Sequence, residues 1–237
     1  MLEVENLVVR QQNFCLRANF SIRKGEKVAI IGPSGSGKST LLSTISGFKS
    51  PYTGKIQLDK INLIGMKPNK IPCTLLFQDN NLFPHLTVFQ NVALGINPTL
   101  KLSSNEHLTV KNSIKKVGLL SKINKKPSML SGGQNSRVAL ARTLIRDKPL
   151  LMLDEPFGAL GPAKKIEMLD FVKDIIKKSN TTLLVVTHEP SDAMYIADKV
   201  MFISEGVVNE PVLTETFFKN PSLQVQKYLG KKYYDLV

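Results

Sequence analysis

The chain has 237 residues, 42% of them hydrophobic, enough for one large domain or two small ones with a proper core. Its 32 basic residues against 19 acidic ones give a formal charge of +13; this favours anionic partners such as nucleotides, nucleic acid or an acidic membrane face, but the short scattered runs at Lys122–Lys126 and Lys177–Lys178 read as a solvated surface. Cys15 and Cys73 lie far apart in apolar settings with no metal-ligand spacing and read as reduced, packed thiols, while no window reaches the roughly eighteen uninterrupted apolar residues of a membrane span and the start, with Glu3 and Glu5, is not expected to be a signal peptide.

In chain order, residues 2–9 and 14–22 predict antiparallel strands ended by Lys24-Gly25. KVAIIG (27–32) is a continuous apolar, β-branched run of the buried-strand type, followed by a glycine-rich turn and a helix over 39–48 closed by Gly47. GKIQLDK (54–60) and CTLLFQ (73–78) predict two further strands. From Thr87 to Arg146 the spacing is helical, with few strand signals. Buried strands return in LLMLDEP (150–156) and TTLLVVTH (181–188), each followed by a helix, over 162–178 and 190–198. KVMFIS and GVVNEPV predict a hairpin around Glu205-Gly206, and 214–229 a helix with a basic tail. Strands alternating with helices argue for an α/β fold with a mainly parallel sheet, preceded by an antiparallel β region and interrupted by a helical insert. The expected division is one domain over 1–237, with a core of 1–86 and 147–237 and a helical subdomain of 87–146.

GPSGSGKST (32–40) fits the phosphate-loop pattern G-x-x-x-x-G-K-[ST] and sits between a buried strand and a helix. Gly32, Pro33, Ser34, Gly35, Ser36 and Gly37 form the loop, where bare glycines let successive N–H groups face an oxyanion. Lys38 reaches the terminal phosphates, Ser39 is placed to ligate Mg²⁺, and Thr40 continues the helix whose dipole adds to the site. Asp154 and Glu155 end an apolar strand, where ligands of parallel sheets bind. An aspartate there holds Mg²⁺, and the adjacent glutamate deprotonates an attacking water. Gln78 and His188 end two more strands and point to the same crevice. Ser131, Gly132, Gly133 and Gln134 open a helix with Val138, Ala141, Leu144 and Ile145 on its apolar side. Ser131 caps it and the glycines bare its N–H groups, making a second anion site. Because the chain already has a phosphate loop, the economical reading is that this tip grips a γ-phosphate held by a second copy.

GPSGSGKST, Gln78, LSGGQ (130–134), LLMLDEP and His188, in this order, resemble the ATP-binding subunits of ABC transporters over nearly the whole chain. The resemblance implies a P-loop ATPase core that binds ATP and Mg²⁺ and a nucleotide-sandwich homodimer. Glu155 is then the general base, His188 the γ-phosphate sensor, and Gln78 a Mg²⁺ contact that links the site to an integral-membrane permease. A periplasmic substrate-binding protein is an indirect partner, no nucleic acid is expected, and the location is the cytoplasmic face of the bacterial inner membrane. The stretch FQDNNLFPHLTVFQNVALGINPTLKL (77–102) is similar to that of bacterial thiamine-importer ATPases, which implies thiamine as the solute. An importer ATPase for another solute, a nucleic-acid-associated ATPase and a switch that barely hydrolyses are the alternatives. Three positions depart from the family pattern: Gln11 stands where adenine usually stacks on an aromatic, with Phe14 the nearest aromatic; Asn135 replaces a basic residue or glutamine; and Gly161 replaces an aspartate that couples the two sites. Since Lys38, Asp154 and Glu155 remain, hydrolysis is expected to survive.

Overall fold

The computed structural model describes residues 1–230, so the expected basic tail lies outside the described residues. Strands β1 (Leu2–Gln11) and β2 (Phe14–Ile22) form an antiparallel pair around a tight turn, and β3 (Lys27–Ile31) runs into the phosphate loop and α1 (Lys38–Ile45). β4 (Thr53–Leu58) pairs with β1, and the two-residue β5 (Ile61–Asn62) pairs with β4. After β6 (Cys73–Leu76) come α2 (Val88–Ala93), α3 (Ser104–Lys116) and α4 (Gly132–Leu144). Then β7 (Leu150–Asp154), α5 (Pro162–Ser179), β8 (Thr182–Val186) and α6 (Pro190–Ile196) alternate. β9 (Lys199–Ser204), β10 (Val207–Val208) and β11 (Val212–Leu213) lead to α7 (Thr214–Lys219) and α8 (Leu223–Leu229).

The strand order is β5-β4-β1-β2-β10-β9-β3-β8-β7-β6, with β11 paired to β9. The parallel part is the run β9-β3-β8-β7-β6, and β5-β4-β1-β2 is the antiparallel limb. The hairpin expected around Glu205-Gly206 forms, but β10 does more than close it. It also pairs in parallel with β2 through Val207↔Arg17 and Val208↔Ala18, joining the two parts of the sheet.

Alternation along the central strands sorts two cores. Val28, Ile30, Leu150, Met152, Leu184 and Val186 face a cluster with α1 and the antiparallel limb. Ala29, Ile31, Leu151, Leu153, Leu183 and Val185 face the other side, with α4, α5 and α6. Strands buried on both faces read as unbroken apolar runs, which is why they were legible. The helices between residues 87 and 146 do not bury a core of their own. Val88, Val92, Val110, Ile114, Val138 and Leu140 belong to the cluster that holds Leu76, Leu151 and Met168. At about 1.5–3 kcal/mol for each fully buried side chain, that shared cluster anchors the insert to the sheet. Capping boxes at Thr87–Gln90, Ser103–Glu106 and Ser131–Gln134 start the three helices.

The single helix expected over 214–229 is two. Asn220, Pro221 and Ser222 separate them; proline has no N–H to donate and biases the residue before it away from helical backbone, and the Ser222 hydroxyl caps the second helix.

Candidate active site

The phosphate loop is built against β9 and β2. Gly32 has φ +153°, and a Cβ on it would lie 2.0 Å from the Ile203 carbonyl oxygen. Gly37, the N-terminal cap of α1, has φ +108°, and a Cβ there would lie 2.7 Å from the Phe14 and Leu16 side chains. Gly32 therefore excludes a side chain on conformation and on space, and Gly37 on conformation, with Phe14 and Leu16 having to shift as well. Pro33 and Ser36 are part of the turn, with the Ser36 N–H donating to the Pro33 carbonyl at 3.3 Å. Lys38 is 5% exposed, and its Nζ donates to the carbonyls of Gly32 at 2.8 Å and Pro33 at 2.7 Å. Burial lowers the ammonium's pKa, and the nearby charges of Glu155 and Asp154 oppose that shift.

A cavity of about 620 Å³ opens over this loop. Ser34, Gly35, Ser39 and Thr40 line it, as do Gln78, Glu155 and His188 from three other segments. The structure thus brings the phosphate loop, Gln78, Glu155 and His188 together at the C-terminal ends of β3, β6, β7 and β8, as expected for a parallel sheet. Glu155 is the centre of the arrangement. Its Oε2 accepts from Gln78 Nε2 at 3.2 Å, and its Oε1 lies 2.7 Å from His188 Nε2. Its N–H donates to the Val186 carbonyl at 3.1 Å, tying β7 to β8 just below the site. Its backbone is left-handed, with φ +49°. A non-glycine residue there stores about 1–3 kcal/mol of strain, which the strand ends and the two side-chain partners maintain.

Asp154, one residue earlier, is 5% exposed, and its Oδ1 is buried without a partner. Burial raises its pKa, with the Ser39 hydroxyl the largest opposing influence.

The β1–β2 turn supplies the remaining wall, with Gln11 and Phe14 both lining the cavity. Phe14 packs beneath Gly37, and the Gln11 amide oxygen accepts from Lys49 Nζ.

Ser131, Gly132, Gly133 and Gln134 are not among the residues lining this cavity. The Ser131 hydroxyl accepts from the Gln134 N–H at 3.4 Å, and the Gln134 side chain accepts from the Ser131 N–H at 3.1 Å. The two adjacent glycines face different surroundings. A Cβ on Gly133 would lie 3.1 Å from the Ala159 carbonyl oxygen, whereas nothing lies within 4 Å of one on Gly132.

The sequence reading missed the link between this helix and the segment after Gln78. Arg142 Nη1 and Nη2 donate to the carbonyls of Asn81 and Asn80 at 2.9 and 2.8 Å, and Asn80 Nδ2 donates to Ser136 Oγ at 3.2 Å. Asn80 and Asn81 both have positive φ. The Asp-Asn-Asn run at 79–81 was the available turn signal.

A family model described as ABC transporter matches residues 15–158. The chain belongs to the ABC transporter family. It is an ATP-binding ATPase whose hydrolysis is coupled to transport. This ATPase is 49% identical over 97% of its length to the whole of the thiamine import ATP-binding protein of Ruegeria sp. (strain TM1040). It is 45% identical over 89% of its length to 98% of the protein of that name from Haemophilus influenzae (strain ATCC 51907 / DSM 11121 / KW20 / Rd). Among solved structures, the ATP-binding cassette MJ0796, in a dimeric post-hydrolysis state bound to ADP and Pi, matches with a TM-score of 0.81 and 28% identity. That match covers 90% of this chain and 99% of the cassette.

Gly161 caps α5 without a side-chain hydrogen bond, has φ −68°, and leaves open space where a Cβ would go. A Gly161→Asp protein of this ATPase is therefore expected to gain about 0.5–1 kcal/mol from the cap and the stiffer unfolded chain. Urea denaturation of both proteins measures it, and a lowered midpoint at unchanged slope would contradict it.

Proposed function

We propose that this chain is the ATP-hydrolysing subunit of a thiamine importer. The observation that carries hydrolysis is the Glu155 carboxylate held between Gln78 and His188 beside the phosphate-loop cavity. Thiamine is supported by the likeness to the thiamine import ATP-binding proteins along nearly the whole chain.

Residues 32–40 hold the triphosphate: loop N–H groups and the α1 dipole face the oxyanions, and Lys38 turns from the Gly32 and Pro33 carbonyls to the terminal phosphates. Glu155 takes a proton from the attacking water. His188 donates to the γ-phosphate and holds Glu155 in line, and Gln78 holds the other carboxylate oxygen. Ser39, Gln78 and Asp154 would hold Mg²⁺. One carboxylate with a hydroxyl and an amide oxygen suits a hard cation that keeps water and phosphate in its shell, and the partnerless Asp154 Oδ1 fits that use. Bound there, the ion supplies neutralisation of charge on the β- and γ-oxygens.

Two copies form an ATP sandwich, each nucleotide gripped by one subunit's phosphate loop and by the partner's Ser131–Gly133 tip. Residues 1–86 and 147–237 act as the nucleotide-binding core, and 87–146 as the helical subdomain. The dimer docks on an integral-membrane permease at the cytoplasmic face of the bacterial inner membrane, and a periplasmic binding protein delivers the solute from the other side.

Reconstitution of the complete transporter in lipid vesicles tests both parts. Thiamine-loaded binding protein is expected to raise ATP turnover several-fold over the unloaded form. Stimulation by a different solute with none by thiamine would overturn the solute. Absence of any ATP turnover in the assembled complex would overturn the hydrolytic reading.

A further inference from the structure

His188 stands on a short connection between β8 and α6, so its ring is aimed by that turn. The residue before it is almost wholly buried, with Thr187 5% exposed. The Thr187 hydroxyl makes two bonds: it accepts from the Glu189 N–H at 3.0 Å and donates to Asp192 Oδ2 at 3.3 Å. One hydroxyl therefore ties together the residues on either side of His188. The other Asp192 oxygen, Oδ1, lies 3.3 Å from Lys165 Nζ, and the two side chains are 7% and 21% exposed. Lys165 lies in the first turn of α5, where its N–H donates to the Gly161 carbonyl at 2.9 Å. α5 is reached from Glu155 through a loop held by the Leu160 N–H to the Phe157 carbonyl at 3.1 Å.

These bonds close a circuit. From Glu155 the chain runs to Gly161 and Lys165, from Lys165 through Asp192 and Thr187 to the His188 turn, and from the His188 ring at 2.7 Å back to Glu155. An acid in the first turn of a helix ordinarily sits in solvent and serves the helix dipole. Asp192 is buried instead, where its charge is costly unless paired.

We propose that Asp192, held by Lys165 and acting through Thr187, is a positioning residue that sets His188 against Glu155. The inference rests on the hydrolytic roles proposed above for Glu155 and His188. It adds that their relative placement is clamped from behind, by an ion pair between the half-buried Lys165 and the buried Asp192 that joins the two segments carrying them. Loss of the clamp loosens the angle of the His188 ring while leaving the phosphate loop untouched, so turnover falls and nucleotide affinity does not.

Steady-state kinetics and ATP affinity of the full-length ATPase test this with Thr187→Val, Thr187→Ser, Asp192→Asn, Lys165→Met and His188→Ala. Thr187→Val and Asp192→Asn are expected to lower kcat about 10-fold with ATP affinity unchanged, Lys165→Met to act in the same direction, and Thr187→Ser to restore the parent rate. In the His188→Ala background, Asp192→Asn is expected to lower kcat no further, because the group it positions is gone. A merely structural role predicts lost ATP affinity in step with kcat and a full additional loss in the double variant. Parent-like kcat in Thr187→Val and Asp192→Asn, or full additivity with His188→Ala, overturns the clamp. Parent-like turnover in His188→Ala overturns the role proposed for His188, and the clamp with it, while leaving hydrolysis itself in place.

Discussion

A Glu155→Gln protein is expected to bind ATP as the parent does, to lose turnover by about 10²- to 10⁴-fold, and to accumulate as an ATP-bound dimer. The substitution keeps shape and the capacity to accept from Gln78 Nε2, now 3.2 Å from the carboxylate, but removes the group proposed as the base that takes the proton of the attacking water. General-base catalysis is worth about 10²–10⁴, or about 3–5 kcal/mol of barrier. Lys38, the loop glycines and Asp154 are untouched, so affinity is preserved. With hydrolysis blocked, the closed state persists, because the nucleotide that bridges the subunits is not consumed. Single-turnover hydrolysis and size-exclusion chromatography with ATP and Mg²⁺ measure both effects. Turnover within 10-fold of the parent would remove Glu155 from the base's role; slow turnover without a dimer would leave the base and remove the sandwich.

What is legible in the sequence follows from local physical necessity. Glycine at 32 and 37 is dictated by backbone that no side chain tolerates, so the phosphate loop could be read from residue types alone. Central strands buried on both faces produce runs such as LLVV, and Gln78, Glu155 and His188 were placed by ending those runs. The parts that stayed hidden depend on partners distant in the chain. β10 is two residues long, and its pairing with β2 depends on a register that spans most of the sequence. Lys165 and Asp192 are two charges among many, 27 residues apart, and nothing in their spacing marks them as an ion pair. Arg142 reaches back to Asn80 and Asn81 from a helix whose sequence marks its glycine tip and its apolar face but not this polar link. Pro221 is the exception: its chemistry was local and it broke the last helix as proline does, against the single continuous helix expected there.

Gly132→Ala is expected to separate stability from function. Within one subunit the replacement is harmless or helpful: nothing lies within 4 Å of the new Cβ, and alanine is favoured over glycine in a helix by up to about 1 kcal/mol. The isolated protein should therefore be at least as stable as the parent in urea. In the closed dimer proposed above, the tip of α4 lays its bare N–H groups on the partner's triphosphate, and a methyl group is expected to hold that backbone off. Each charge-assisted hydrogen bond lost costs about 1.5–3 kcal/mol, so ATP-dependent association and turnover should fall about 10- to 100-fold. Gly133→Ala gives the contrasting case, because its Cβ meets the Ala159 carbonyl oxygen at 3.1 Å inside the same subunit. That loop follows Glu155, so the displacement the contact demands acts on turnover within one subunit, without any partner. Gly132→Ala introduced into the Glu155→Gln protein makes the test direct: the ATP-trapped dimer should disappear on chromatography while ATP binding by the monomer remains. A dimer that persists unchanged would mean that the bare backbone at 132 serves neither the nucleotide nor the second subunit.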